Sequence, residues 1–476
     1  MSINKSLYIL LLAVIIVLYG ANIATHGMFT DGTIYATIAH NMHMNAGDIW
    51  HPYFSDYIMN TFHEHPTLAF WLQSLTYKIL GNAFWVDKVY QVIMLLLNIV
   101  VIIAIWKAVF KSKKMAWLPV LLWITIGKVI WSFNNNCLEN TLCLFSLLTI
   151  LVLIKQQLSK SNLLWSWALS SLLLWLAFFS KGFPGLFPLG FYFAWFISQI
   201  NRFSIKQFIV NTLGLLLVFS AFGSVFFLLN NDAYINISTY INTQVLESIA
   251  GERVIVSRTW ILQVMFNELI PLLLLLAIYF TTIKIKKRVD FIPDKITTSW
   301  ALFFLMVGLM ASLPIIVSPK QLSFYVIPST PYFVLAGAIL MSPMLNSLSK
   351  VKNLKVLKRV RIATITILFG SVAFAWFNAG KYMRNKSELQ DLAIIAKEIK
   401  AHNENVVMLS PALIQDWSVM SYLKRYYNIN TNRSGEFFPY RLSRLDESTL
   451  EYYNVINGKY QTLKLEKQQA NSNQLP

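Results

Sequence analysis

The chain has 476 residues, 56% of them hydrophobic, 14% aromatic and 13% charged, and a mean hydropathy of +0.52. A soluble domain carries about 25% charged residues, so this composition excludes a disordered protein and a soluble nucleic-acid-binding protein. The net charge of +18 then reads as cations flanking membrane spans rather than as a polyanion-binding surface. Cys137 and Cys143 share one apolar stretch and fall on roughly opposite faces of a helix, which leaves neither a disulfide framework nor a cysteine metal site.

A helix needs about 20 mostly apolar residues to cross the hydrocarbon core. Eleven runs meet that need, near 7–24, 89–106, 115–133, 136–154, 162–179, 183–200, 207–230, 260–283, 298–317, 322–346 and 360–379. The run at 183–200 opens Phe-Pro-Gly, and 115–133 is tightly coupled to 136–154. The first run lacks a small-residue cleavage pattern and reads as an anchor rather than a removed signal peptide. The expected fold class is an α-helical polytopic membrane protein with about 11 transmembrane helices.

Alternating from a cytoplasmic N-terminus, the inner segments hold 20 Lys and Arg residues, whereas the outer segments before the tail hold six. That bias predicts an inside N-terminus and an outside C-terminus. The basic inner loops, above all Lys350–Arg361, also suit anionic membrane lipids. Three outer segments are too long to be turns: 25–87, 231–259 and the tail. The domain expectation is a membrane domain over 1–380 and a small outer α/β domain over 381–476. In the tail, helical periodicity through Leu389–Ile399 is followed by the apolar run Val406–Leu409 and a second amphipathic stretch, Trp417–Tyr427.

The first outer segment gathers Asp31, Asp48, Asp56, Glu64 and Asp87 with six of the seven histidines, His26, His40, His43, His51, His63 and His65. Acids and imidazoles at a membrane surface suit general acid–base work or a metal. A helix starting near Thr33 would put Asp31 at its N-terminus, where the dipole favours a carboxylate; Asp31 could equally be a plain N-cap. His63-Glu64-His65 either binds a divalent metal or forms a solvated turn, since its i, i+2 histidines do not match a helical zinc motif. Asp48 and Asp56 read as solvated loop residues. The apolar stretch Leu68–Leu80 reads as an interfacial helix.

Three segments of this loop, Phe29-Thr30-Asp31-Gly32-Thr33-Ile34-Tyr35-Ala36, Gly47–Pro52 and Phe62-His63-Glu64-His65-Pro66-Thr67-Leu68, resemble the first-loop pattern of C-type glycosyltransferases. The similarity is to bacterial relatives of dolichyl-phosphate-mannose protein mannosyltransferases and to the lipid A aminoarabinose transferases. Phe179-Ser180-Lys181-Gly182-Phe183-Pro184-Gly185 and the segment Ser318–Pro328 match as well. The resemblance implies an inverting transferase that moves a sugar from a polyprenyl-phosphate donor to a protein, lipid A or glycan acceptor at the outer face of a bacterial inner membrane. It makes Asp31 the group that activates the acceptor and puts Glu64 in the same site, helping position the acceptor or a metal; Tyr35, His63, His65 and Tyr325 would border the substrates. His65 stands where the aminoarabinose transferases usually have Lys, a departure from their pattern.

A polyprenyl-phosphate leaving group needs cations where its charge develops. Outer cations are scarce, so Lys181, Arg253, Arg258 and Lys320 are the candidates for the donor phosphate. Against this, Lys181 could snorkel at the interface, as could Lys320, and Arg253 and Arg258 could pair with Glu252 or meet lipid headgroups. Among charges inside spans, Lys128 and Glu139 are expected to pair across the tip Asn134-Asn135-Asn136; alternatively Asn136 or Glu139 lines the donor pocket. Glu268 should face the bundle interior. A flippase of lipid-linked sugars and a lipid-linked oligosaccharide ligase are the alternative readings. A transporter would more readily show inverted repeats and polar residues at mid-membrane, and ligases of the O-antigen type carry their large outer loop late in the chain.

Overall fold

The computed structural model describes residues 3–111, 114–159, 161–247, 257–318, 321–348, 353–434 and 438–469. Among them, nine helices are long and apolar enough to cross a membrane, ten if the bent pair Trp117–Ile124 and Gly127–Asn134 counts as one span. Two of the eleven expected runs therefore depart from a simple span. The run at 115–133 bends by 73° between its two helices. The break is at Ile126, whose extended ψ of 130° precedes Gly127. The run at 183–200 is a shorter apolar helix, Phe183–Ser198, whose first half is 3-10 because Pro184 and Pro188 cannot donate to an α-helical ladder.

The chain divides into two compact units. The first comprises Met1–Asn22, His63–Ala69 and Gln91–Phe377 and contains most of the span length. Its spans differ in burial: Ser323–Leu340 is 83% buried, whereas Ile205–Leu229 and Leu354–Asn378 are 11% buried and turn side chains such as Leu228 and Trp376 outward. Polar groups inside this unit find partners, as a low-dielectric setting demands. The indole of Trp123 donates to Thr330 Oγ1 at 3.0 Å, and Tyr19 donates to the carbonyl of Ile124 at 2.6 Å. Glu268, expected to face inward, accepts from the backbone N–H of Lys128 at 2.9 Å and so satisfies an orphan donor where the bent span restarts.

The second unit comprises Ile23–Phe62, Phe70–Tyr90 and Asn378–Pro476, so the first outer loop and the tail share one core. Its sheet has the order β2-β1-β3-β5-β4, with β1 (Val406–Leu409) parallel to β2 (Asn430–Asn432) and β3 (Tyr440–Arg444). β5 (Leu463–Gln468) runs antiparallel to β3 and to β4 (Tyr453–Val455). The expected tail helices are present as Lys386–Ala401 and Trp417–Tyr427. Asp391, buried on the first of them, accepts from the backbone N–H groups of Gln461, Thr462 and Leu463 and fixes the start of β5.

Loop and tail are tied by buried polar contacts. Tyr422 of the second tail helix accepts from Met28 N at 3.1 Å and donates to Met28 O at 3.0 Å. Arg425, one turn further on, forms an ion pair with Asp87 at 2.5 Å, and Tyr77 donates to the same Asp87 oxygen at 2.7 Å. His26 stacks on Phe84 at 3.9 Å and on Tyr382 at 4.9 Å, while Lys88 donates to both oxygens of Thr25.

Candidate active site

Asp31 lies in the first turn of the helix Thr30–His43, whose N-cap is Phe29. The plain N-cap reading of Asp31 is therefore corrected: it is the second helical residue, half-buried, at the positive end of the dipole. Its backbone is held from the tail, through the Tyr422 contacts to Met28 and through Thr37, whose hydroxyl reaches the carbonyls of Thr33 and Ser421. Gly27 has φ +83°, and a Cβ there would collide with the carbonyl of Arg384. Tyr35, one turn past Asp31, is buried with its ring 5.4 Å from Phe70, which in turn meets Phe62 edge-on at 5.6 Å.

In the same unit Asp48 accepts from the backbone of Trp50 and His51, and is exposed as expected. Asp56 is likewise exposed in its loop, as expected. It accepts from Tyr53 at 2.6 Å and from Asn430 of β2 at 2.5 Å, and thus fastens the loop to the sheet edge. His40 packs edge-on against Tyr77 at 5.6 Å, and its pKa is lowered to about 4, first by burial and then by the charge of Arg425.

Glu64 belongs to the first unit, in a bend at 64–65 flanked by the half-buried His63 and His65. The Nδ1 of His63 lies 3.3 Å from the amide nitrogen of Asn236, a buried residue of the helix Asn231–Tyr240. As for the metal expected at Glu64, His63 and His65, among the described residues no three His, Cys, Asp or Glu side chains are grouped so that they could hold an ion.

Lys181 is the last residue of the helix Leu163–Lys181 and is 6% exposed. Its Nζ lies 2.6 Å from Glu139 Oε1 and sits over the rings of Phe324 and Tyr325 at 5.3 and 5.2 Å. Glu139 thus pairs with Lys181 rather than with Lys128, whose ammonium lies over Trp131 at 5.8 Å. The snorkelling reading of Lys181 is corrected too, because its head group is buried in an ion pair instead of reaching for water. Gly182 ends the helix at φ +86°, and a Cβ there would run into the hydroxyl of Tyr240. That hydroxyl is pushed up to about 12 by burial, against the opposing pull of the Lys181 charge.

The structure therefore brings together Lys181 and Tyr325, and adds Glu139 and Tyr240. Arg258 is exposed in the turn before the helix Trp260–Ile285, and its carbonyl accepts from Gln321 at 2.6 Å. Gln321 also accepts from Ile261 N at 3.0 Å, so this residue of the Ser318–Pro328 segment ties down the start of the helix Trp260–Ile285. Arg253 and Lys320 lie outside the described residues.

Residues 64–227 match the family model of dolichyl-phosphate-mannose-protein mannosyltransferase. The structure is similar to the crystal structure of ArnT from Cupriavidus metallidurans in the apo state, with a TM-score of 0.63 and 12% identity over 95% of this chain and 96% of that one. The similarity extends to the same protein bound to undecaprenyl phosphate, with a TM-score of 0.62 and 11% identity over 98% of each chain. The fold is shared with these ArnT structures. No curated protein matches the chain in sequence. The match runs almost the full length of both chains, so the fold includes the tail unit as well as the spans.

Proposed function

We propose that this chain is a membrane-embedded, inverting glycosyltransferase that moves a sugar from a polyprenyl-phosphate donor to a hydroxyl-bearing acceptor. Two observations support a donor of this kind: the partial match to a dolichyl-phosphate-mannose-dependent family, and the fold shared with a protein solved with undecaprenyl phosphate. The observation within the chain that carries the reading is Lys181, a buried cation at the end of an apolar helix. Burying such a charge is expensive and marks function in membrane proteins.

In the reaction we infer, the Asp31 carboxylate takes the proton from the acceptor hydroxyl as its oxygen attacks the anomeric carbon. The new C–O bond forms on the face opposite the leaving group, the anomeric C–O bond to phosphate breaks, and the polyprenyl phosphate departs with the electron pair. Its developing charge is stabilised by preorganised cations and donors. An ammonium has three N–H donors, so Lys181 can keep Glu139 and still serve a phosphate oxygen. Arg253, Arg258 and Lys320 are further candidates for that role, and Glu64 with His63 and His65 for acceptor positioning. By the charge bias of its loops, the N-terminus is cytoplasmic and the transfer takes place at the outer face of the membrane.

The test supplies radiolabelled polyprenyl-phosphate sugars to membranes containing wild type or Asp31→Asn. Label reaching an acceptor with wild type alone is the expected result. Equal transfer by both would remove Asp31 from the chemistry. Absence of transfer with any donor, together with movement of lipid-linked sugar across liposomes, would favour a flippase.

A further inference from the structure

Behind the Lys181–Glu139 pair lies a chain of buried amides that the proposed chemistry does not use. The side chain of Gln91, on the helix Val86–Phe110, is 1% exposed and has both of its ends engaged. Its Nε2 donates to Asn136 Oδ1 at 2.7 Å, and its Oε1 accepts from Asn140 Nδ2 at 2.7 Å. Asn140 is fully buried and likewise satisfied at both ends, since its Oδ1 accepts from Ser132 at 2.9 Å. Its backbone carbonyl accepts from Asn98 at 3.1 Å. One glutamine therefore clamps both ends of the five-residue turn Asn136-Cys137-Leu138-Glu139-Asn140. Asn136 enters that turn with φ +55°, the left-handed region that Asn tolerates better than most residues.

Glu139 leaves from inside the clamped turn, opens the helix Glu139–Ser159 and meets Lys181. A freely rotating turn would let the carboxylate swing, and the ammonium with it. Buried amides engaged at both ends, as Gln91 and Asn140 are, are costly to distort. We infer that Gln91 is a positioning residue for the donor phosphate: by locking the turn 136–140 it sets where Glu139 holds the ammonium of Lys181. This inference rests on the reading of Lys181 as a phosphate-binding cation, and Gln91 itself touches no reacting atom.

The experiment measures binding of radiolabelled undecaprenyl phosphate to the full chain in nanodiscs, which needs no sugar transfer. Gln91→Met keeps the volume and removes both hydrogen bonds, and the expected result is affinity about tenfold weaker, the scale of one lost buried hydrogen bond. Lys181→Met should weaken binding more. The double variant should bind no worse than Lys181→Met alone, because Gln91 acts only through that ammonium. Unchanged affinity in Gln91→Met, multiplying effects in the double variant, or no binding by wild type would each overturn the inference. If Gln91→Met does not fold, Asn136→Gly replaces it, since glycine accepts the positive φ and removes one partner of the clamp. Wild-type binding with this coupling intact but no sugar transfer would leave the inference standing and sink the transferase reading instead.

Discussion

Asp31 and Asp87 occupy formally identical places. Each is the second residue of a helix, each lies in the unit built from the first outer loop and the tail, and each has the helix dipole behind it. Their surroundings differ. Asp87 is fully buried and its Oδ1 is consumed by Tyr77 and by two nitrogens of Arg425. Asp31 is half-buried, and what the tail grips is the backbone just before it and one turn after it. An acid at a helix start is thus a structural post when an arginine closes over it. It is a candidate base when its backbone is fixed and the residue is only half-buried.

The largest effect that would break or sharpen this contrast is on activity. Asp31→Asn should lower sugar transfer by about a thousandfold, the scale of a lost general base. Its thermal stability should change less than that of Asp87→Asn, because Asp31 is half-buried whereas Asp87 is fully buried. Asp87→Asn should do the reverse, costing about 3 kcal/mol of stability because it leaves the Arg425 guanidinium buried without its carboxylate. Thermal unfolding and transfer rate per folded molecule, measured on both variants, decide the matter. A stable but inactive Asp87→Asn would show that the two acids had been assigned the wrong way round. Tyr77→Phe is a finer probe of the same post: removing the hydroxyl, with its 2.7 Å bond to Asp87, should cost about 1 kcal/mol and leave transfer intact.

How much of this was legible in the sequence depended on how far apart the partners lie. The spans, the start of a helix near Asp31 and the amphipathic helix Trp417–Tyr427 are local patterns, and hydropathy and periodicity found them. The bend at Ile126 and the short helix Phe183–Ser198 were hidden because apolar residues run on through both breaks; only the Gly and the two Pro residues marked them. Of the site, Lys181 and Tyr325 were named from separate motifs and are found together. Glu139 was seen, but nearest-neighbour reasoning gave it Lys128, when the helix hairpin Glu139–Ser159 and Leu163–Lys181 returns Lys181 to it. No local signal joins Asp87 to Arg425, which are 338 residues apart, or Met28 to Tyr422, which are 394 apart. Those ties place the backbone of the proposed base, and they exist only once the tail has folded onto the loop.

His40 supplies the smallest effect and the last test of the contrast, because it belongs to the neighbourhood of Asp87 rather than of Asp31. Its ring lies against Tyr77, and burial together with the charges of Arg425, His43 and Lys424 lowers its pKa from 6.5 to about 4. The fold therefore holds His40 neutral, while the unfolded chain takes up a proton as pH drops through 6.5. Between pH 6.5 and about 4 the unfolded state binds more protons, so acid weakens the fold across that window; above 6.5 the contribution is constant. His40→Gln cannot titrate, and its melting temperature should fall less steeply than wild type from pH 6.5 to 4, with parallel curves above that range. The transfer rate per folded molecule should keep the wild-type pH profile, because the titrating group guards the post and not the base. A profile that moves with His40→Gln would connect this imidazole to the chemistry of Asp31 and dissolve the distinction between the two acids.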